Sequence, residues 1–249
     1  MVTDVSVGNM DLNKLVWKKQ NSVVRLLLVL AGLPLINFVL SYAVFNVLAY
    51  FYAAAGKTML FLLYRVVLTL IELTLVFYVV YPFLKLEKQS PTQMIGYKKE
   101  KLLSDIGIGI LLATAAFAVN FVYAPIGDRI DPGYEQSTTD YFSSQPAVLK
   151  VFDSTAIPIT AGFVEELTWR GYGYGVFSTI TGNAVFAALV SSISFGLVHS
   201  QLYVVGFGIL YGLVYCFAFE KTKRLMPLMI GHWLYDFIQF VALLIAFGF

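Results

Sequence analysis

The sequence predicts an all-α protein, a polytopic bundle of transmembrane helices, and three observations lead to that fold class. Of the 249 residues, 59% are hydrophobic and 13% are charged, whereas soluble domains carry about 25% charged residues. The mean hydropathy is +0.76. The apolar residues form long runs, and a helix needs about 20 such residues to cross a bilayer. The alternating strands of about ten residues that a membrane barrel requires are not seen in the pattern.

Seven apolar runs are long enough to be predicted crossings, and an eighth half-crossing would also fit the pattern. We assign residues 1–22 to a cytoplasmic N-terminal segment, 23–125 to N-terminal transmembrane helices and 145–249 to a catalytic helical core, all in one compact bundle. The first run is too long for a signal-peptide core, so we expect an uncleaved anchor. The seven runs lie at about 23–50, 58–84, 105–125, 154–177, 183–200, 202–220 and 227–248.

The distribution of basic residues predicts the orientation. A cytoplasmic N-terminus places 13 of the 17 Lys and Arg residues on the inner side and 3 on the outer side, in agreement with the positive-inside rule. We therefore predict a multi-pass plasma-membrane protein with a cytoplasmic N-terminus. The net charge of +2 argues against a nucleic-acid partner. The single cysteine, Cys216, excludes an internal disulfide and is expected to be a small buried apolar residue.

Charged residues inside the predicted crossings need a physical reason, because an ionised side chain at the bilayer centre costs about 2.5–3.5 kcal/mol on insertion scales. Arg65 and Glu72 are two turns apart on one face of the second run, and we interpret them as a polar contact that faces the bundle. The fourth run contains F-V-E-E-L-T-W-R-G. In this string Glu166 and Arg170 can pair, which leaves Glu165, about 100° around the helix, free to face a cavity.

Both histidines of the chain lie in later apolar runs. His199 follows Phe195 by four residues, so that the two rings can stack on one helix face. His232 precedes Asp236 by four residues, and this carboxyl group can hydrogen-bond to the imidazole. A lone histidine in an apolar helix is usually a packing residue. Two of two histidines, together with an intramembrane pair of acids, instead predict an active site.

These side chains suit peptide hydrolysis, which needs an activated water, an oxyanion stabiliser and a proton donor. Glu165 with His199 could polarise a water, and His232 with Asp236 could donate hydrogen bonds to the oxyanion. The ligand set Glu165, His199 and His232 would equally suit a catalytic Zn²⁺. The residues leave open whether a zinc ion or no cofactor is used. The serine elbow G-x-S-x-G and the zincin signature H-E-x-x-H are absent from the sequence.

The string E-E-L-T-W-R-G, followed by F-x-x-x-H and H-x-x-x-D in separate runs, resembles the CPBP family of intramembrane proteases. That family groups CAAX prenyl endopeptidases with bacteriocin-processing and immunity proteins. The likeness covers roughly residues 145–245. It implies Glu165 as the water-activating residue, with Glu166 beside it and Arg170 as a structural partner.

The resemblance also implies His199 as the companion of the glutamate at the water, and His232 with Asp236 on the oxyanion side. Phe195 would give structural support to His199. Two departures from the family pattern are Trp169, where the family often has Phe, and Asp236, where the prenyl-processing members usually have Asn. An ionised Asp236 would orient His232 rather than donate to an oxyanion.

The function predicted from these observations is an intramembrane endopeptidase that cleaves membrane-anchored or lipidated peptides or proteins in the lipid bilayer. Two alternatives are a catalytically idle bacteriocin-immunity or scaffold protein and a proton-coupled transporter, although repeated halves typical of transporters are not found. With seven full crossings, Glu165, His199 and His232 would lie at different depths. We therefore predict that the fifth or sixth crossing is short, tilted or re-entrant, and that His199 lies inside the hydrocarbon layer within reach of Glu165.

Overall fold

The computed structural model describes residues 12–55, 57–199 and 201–247, and over these ranges the chain forms helices and no strand. The all-α fold class is confirmed. Three helices contain or continue into π-helical segments, at Leu28–Gly32, Val76–Val80 and Glu166–Val176. The α-helices are α1 Leu12–Leu27, α2 Leu33–Ala55, α3 Lys57–Leu75, α4 Tyr81–Leu86, α5 Pro91–Ile95, α6 Leu102–Ile130, α7 Tyr134–Ser143, α8 Ala147–Glu165, α9 Phe177–Thr181, α10 Ala184–Leu197, α11 Leu202–Thr222 and α12 Met226–Phe247.

Six stretches of the described chain are long and apolar enough to cross a membrane, so the protein is a multi-pass membrane protein. The predicted fifth crossing is the exception, because α10 has only 14 residues and is therefore about 21 Å long, short of a hydrocarbon core of about 30 Å. The prediction of seven full crossings is thus corrected to six and a short helix, and the expected shortening falls on the fifth. The six stretches are Gln20–Val44, Leu63–Leu86, Pro91–Ile130, Ala147–Thr181, Leu202–Thr222 and Met226–Phe247.

The first apolar stretch begins close to its predicted start. It runs from Gln20, whereas the sequence placed its start at about residue 23. Helix α1 begins earlier, at Leu12, and its sequence includes polar residues such as Lys18, Lys19 and Gln20. Residues 1–11 lie outside the described part of the chain, and the cytoplasmic placement of residues 1–22 stays a prediction.

An ion pair and a hydrogen bond mark the two ends of the bundle. At one end, here called the Arg224 end, Arg224 lies 2.6 Å from the buried carboxylate of Asp105, which joins the α11–α12 turn to the start of α6. At the opposite end, the Asp131 carboxylate accepts a hydrogen bond from the Tyr203 N–H at 3.3 Å, which joins α6 to α11. We call this the Asp153 end, because α8, which carries Asp153, begins there. Which end faces the cytoplasm stays a prediction from the basic residues.

Glycines bring α8 and α6 against α12. A Cβ atom added at Gly162 would lie 3.0 Å from the Met229 carbonyl oxygen, and one added at Gly109 would lie 3.1 Å from the Gly231 nitrogen. Real Cβ contacts are rarely so short, so only glycine permits this approach of backbones, as is common between membrane helices. A Cβ atom at Gly162 would also lie 3.3 Å from the Trp233 nitrogen, and this close approach lets His232 come within 3.6 Å of Glu165, one turn after Gly162.

Candidate active site

The predicted acid motif begins where α8 changes into a π-helix. Glu165 is the last residue of α8, and the π-helical segment runs from Glu166 to Val176. The sequence predicted an ordinary α-helix here. A π-helix has a wider turn than an α-helix, with i→i+5 hydrogen bonds, and such segments are frequent at functional sites. All but one of the residues of this segment are buried, so the motif lies in the interior of the bundle.

His232 lies at the centre of the site, with a carboxyl group on each side of the ring. Its Nδ1 atom is 2.8 Å from Glu166 Oε1. Its Nε2 atom is 3.6 Å from Glu165 Oε2 and 3.5 Å from Asp236 Oδ2. The His232 side chain is 6% exposed and Glu166 is fully buried, whereas Glu165 and Asp236 are about a fifth exposed. The accessible side of the imidazole is therefore the Nε2 side.

Arg170 supports this arrangement from beneath Glu166. Its Nη1 atom lies 3.2 Å from Glu166 Oε1, and both side chains are buried. The guanidinium also lies over the rings of Phe195, Tyr211 and Tyr215, with 4.2, 5.3 and 5.5 Å from Cζ to the ring centroids. Cation–π contacts of a desolvated Arg are worth about 2 kcal/mol or more. The predicted pairing of Glu166 with Arg170 is present, and an aromatic cage surrounds the arginine.

His199 reaches the site through Phe195. Its Nδ1 atom lies 3.1 Å from the Phe195 carbonyl oxygen, which can only accept, so Nδ1 carries the hydrogen. The His199 ring meets the Phe195 ring edge-on at 5.3 Å, and the His232 ring does the same at 6.3 Å. The Phe195 ring thus contacts both imidazoles. The Asn37 amide donates to the Val198 carbonyl at 3.3 Å and holds the end of α10 against α2.

The structure brings Glu165, Glu166, His232 and Asp236 together around one imidazole, with Arg170 behind them. Among the ion pairs of the described residues, Glu165 pairs with His232, at 3.6 Å. His199 interacts electrostatically with His232 and Arg170. The nearest partner of the predicted water-activating residue is therefore His232. The roles that the sequence assigned to each residue stay predictions.

Comparisons with known proteins agree with the motifs. Residues 147–238 match the model of a protein family described as "Type II CAAX prenyl endopeptidase Rce1-like". The resemblance to this protease family is confirmed. The chain is also similar to a Bacillus subtilis (strain 168) protein described as "Putative membrane peptidase YdiL", with 28% identity over 137 residues. That match covers 51% of this chain and 53% of the relative, so the chain spans about half the relative's length. No solved structure matches the chain.

The matched CAAX-protease region contains every site residue that the sequence singled out, since Glu165 and Asp236 both lie within 147–238. Within the described ranges, no three His, Cys, Asp or Glu side chains are arranged to hold a metal ion. The zinc ligand set of Glu165, His199 and His232 therefore stays a prediction, and no step below is routed through a metal.

Sequence reasoning missed two tyrosines of the same region. Tyr211 and Tyr215 stack on each other at 4.1 Å, and the Tyr211 ring meets His232 edge-on at 5.1 Å. Both are buried, and their hydroxyl groups have no hydrogen-bond partner in the described part of the chain. The available signal was their spacing of four residues, which places both on one face of α11. An aromatic stripe of this kind is usually packing, so the signal alone was weak.

Sequence reasoning also missed a chain of hydrogen bonds behind the motif. The Trp169 indole N–H donates to the Ser194 hydroxyl oxygen at 3.0 Å, and the Ser194 hydroxyl donates to the Leu30 carbonyl at 2.5 Å. The Ser191 hydroxyl donates to the Trp169 carbonyl at 2.6 Å. Leu30 lies in the π-helical segment of the first crossing. These bonds fix the backbone and side chain of Trp169, one residue from Arg170.

Proposed function

We propose that this protein is an intramembrane endopeptidase in which Glu165 and His232 together activate a water molecule. One observation carries the proposal. The Nε2 atom of His232 faces carboxylate oxygens of Glu165 and Asp236 at 3.6 and 3.5 Å, while Nδ1 is held by Glu166 at 2.8 Å. The two longer separations exceed a good direct hydrogen bond, so Nε2 and the two carboxylates can each bind a water that sits beside them on the accessible side.

Glu166 fixes the orientation of the imidazole in this proposal. An ionised carboxylate accepts hydrogen bonds and cannot donate them, so Nδ1–H of His232 donates to Glu166. Arg170 holds that carboxylate in place through its ion pair. In the neutral ring the lone pair then resides on Nε2, which points to the accessible side next to Glu165. The Glu166–Arg170 pair is in this sense a positioning pair, while Glu165 and His232 meet the reactants.

The reaction is general-base hydrolysis of a peptide bond. A water bridging Glu165 and His232 gives a proton to the Glu165 carboxylate as its oxygen attacks the peptide carbonyl carbon. The carbon–nitrogen bond then breaks, and the same proton passes from Glu165 to the leaving amine. The products are a carboxylic acid, which releases its proton at neutral pH, and an amine. This proposal places His232 beside the water, whereas the resemblance to the CPBP family implied a place with Asp236 on the oxyanion side.

The substrates we propose are membrane-anchored or lipidated peptides and proteins. Glu165 lies near the middle of the apolar stretch Ala147–Thr181, and His232 lies on another crossing. A soluble polypeptide would have to enter the apolar layer to reach these residues, whereas a membrane-anchored segment is already there. The printed description of the matching family model names a CAAX prenyl endopeptidase, which favours including prenylated peptides among the substrates tested.

The test compares the purified wild type with Glu165→Gln in lipid nanodiscs. Both are incubated with membrane-anchored peptides in prenylated and unmodified forms, and the products are identified by mass spectrometry. Because Gln cannot accept the proton of water, we expect cleavage to fall at least about 100-fold, the lower range for a general base. The matched control is Glu100→Gln, the same change at an exposed residue outside the site, which should cleave at the wild-type rate.

A chelator arm decides the cofactor. Cleavage that a chelator abolishes and Zn²⁺ restores would assign the reaction to a metal, with Glu165, His199 and His232 as the first ligands to test by substitution. Cleavage that a chelator leaves unchanged would support the glutamate mechanism alone. Equal cleavage by wild type and Glu165→Gln would contradict the proposed mechanism. Absence of cleavage of every peptide by the wild type would favour the idle or scaffold alternative.

A further inference from the structure

Four polar side chains form a cluster at the Asp153 end, where α3 meets α8 and the connection between α7 and α8. Arg65 Nη2 lies 3.2 Å from Asp153 Oδ2, and the Gln145 amide donates to the same oxygen at 3.4 Å. Ser154 follows Asp153 in α8. Asp153 is fully buried, Ser154 and Gln145 are more than nine-tenths buried, and Arg65 is partly exposed. The Arg65 partner that the sequence left open is therefore Asp153, and we call these four residues the polar cluster.

The polar cluster is incompletely paired. Arg65 Nε, Gln145 Oε1, Asp153 Oδ1 and Ser154 Oγ are each buried without a hydrogen-bond partner in the described part of the chain. A buried polar group that stays unpaired destabilises the fold, and buried polar groups of this kind are usually paired by internal water. Pro158 adds another group that needs a hydrogen-bond partner, because Pro158 lies inside α8 and has no N–H to donate to the Ser154 carbonyl. Four such atoms in one place therefore indicate a hydrated site.

Two polar stripes lead from the polar cluster toward Glu165. On α3, Arg65, Thr69 and Glu72 are spaced by four and three residues, so they lie on one face over about 10 Å. On α8, Ser154 and Glu165 are eleven residues apart, which is about three turns and again one face. Helix α3 packs against α8. Glu72 interacts electrostatically with both Arg65 and Glu165, so it lies between the polar cluster and the site.

We propose that the polar cluster is the mouth of a hydrated path along α3 and α8, through which water reaches Glu165 from the Asp153 end. Hydrolysis consumes one water for each peptide bond, and an apolar bundle cannot supply it without polar groups along the way. An ion pair that served only to tie two helices together would not need four unpaired polar atoms, since apolar residues of similar volume often replace buried ion pairs without loss of stability. The use of this path by an enzyme rests on the proposed function, whereas its hydration does not.

The test measures how fast a charged, water-soluble methanethiosulfonate reagent reacts with single cysteines in nanodiscs. The native thiol is removed by Cys216→Ala, and Thr69→Cys places a thiol in the proposed path. The matched control is Thr74→Cys on the same crossing, since Thr74 is exposed on the bundle surface whereas Thr69 is buried. Such reagents need water to reach and ionise a thiol. We expect Thr69→Cys to react at least tenfold faster than Thr74→Cys, the reverse of the order expected from exposure.

Two outcomes separate this proposal from the proposed function. Equal or slower labelling of Thr69→Cys would overturn the hydrated path, whatever the protein cleaves. If Thr69→Cys fails to fold, Ser154→Cys, at the mouth of the path, repeats the measurement.

In an active preparation, Glu72→Gln should lower kcat about tenfold with unchanged KM, because the path supplies water and does not bind substrate. An unchanged kcat would remove Glu72 from the path.

Discussion

The N-terminal helices and the C-terminal core contribute to one site in different ways. The core, within residues 147–238, carries the acids and histidines and matches a known family. The helices before residue 125 carry no family motif, yet they supply the Leu30 carbonyl, the Asn37 amide and the Glu72 carboxyl group. The difference teaches that the groups to which we assign chemistry leave a sequence signature, whereas the groups that hold them in position are often backbone atoms or isolated polar residues.

The largest expected effect concerns the two arginine ion pairs, one in each region. Arg170→Ala leaves Glu166 buried without its ion-pair partner, and breaking a buried pair costs about 3–5 kcal/mol. Arg65 is 27% exposed where Arg170 is 1% exposed, so Arg65→Ala should destabilise the protein less. Thermal unfolding in detergent checks the order. A larger loss for Arg65→Ala would show that the N-terminal pair, and not the core pair, is the main ionic support.

The next effect separates the two histidines. His232→Ala removes the ring that meets Glu165, and we expect cleavage to fall about 10²–10⁴-fold, the range for a lost acid–base partner. In the described part of the chain, His199 meets this site through Phe195, so His199→Ala should cost less in kcat. Single-turnover kinetics measures both. Equal losses would support the sequence prediction that His199 lies beside the water.

A smaller effect tests the hydrogen bonds that cross between the regions. Ser194→Ala leaves the Trp169 indole N–H and the Leu30 carbonyl unpaired, at a cost of about 1–3 kcal/mol for a buried group. Trp169→Phe in the same background removes the stranded donor and should recover part of the loss. Unfolding measurements on the two variants check this. No recovery would mean that Ser194 acts through packing rather than through Trp169.

The smallest effect concerns Asn37, which joins α2 to the end of α10. Its amide bond to the Val198 carbonyl is 3.3 Å long, and a single hydrogen bond contributes about 1 kcal/mol net. Asn37→Ala should therefore lower stability by about that amount and lower kcat only a few-fold through His199. Asn46→Ala is the control, because Asn46 bonds within its own helix to the Tyr42 carbonyl. Equal effects of the two changes would mean that the Asn37 hydrogen bond does not support the site.

The crossings, and the charged residues that the structure brings together around His232, were predictable because hydropathy and charge act locally. Long apolar runs predicted the six long crossings, and the cost of burying charge drew attention to Glu165, Glu166 and Arg170. The partner of each residue was not predictable. Which imidazole meets Glu165 depends on the approach of α8 and α12 at Gly162. The π-helical turn after Glu165 also changes the directions of the side chains that follow.

The central claim is that Glu165 and His232 act on one water, and a double-mutant cycle tests it most directly. Cleavage of one membrane-anchored peptide is measured for wild type, Glu165→Gln, His232→Ala and the double variant. Residues that act as a unit are strongly non-additive. We expect the double variant to lose little more activity than the worse single variant. Losses that multiply would contradict it, because they would mean that the two residues act independently.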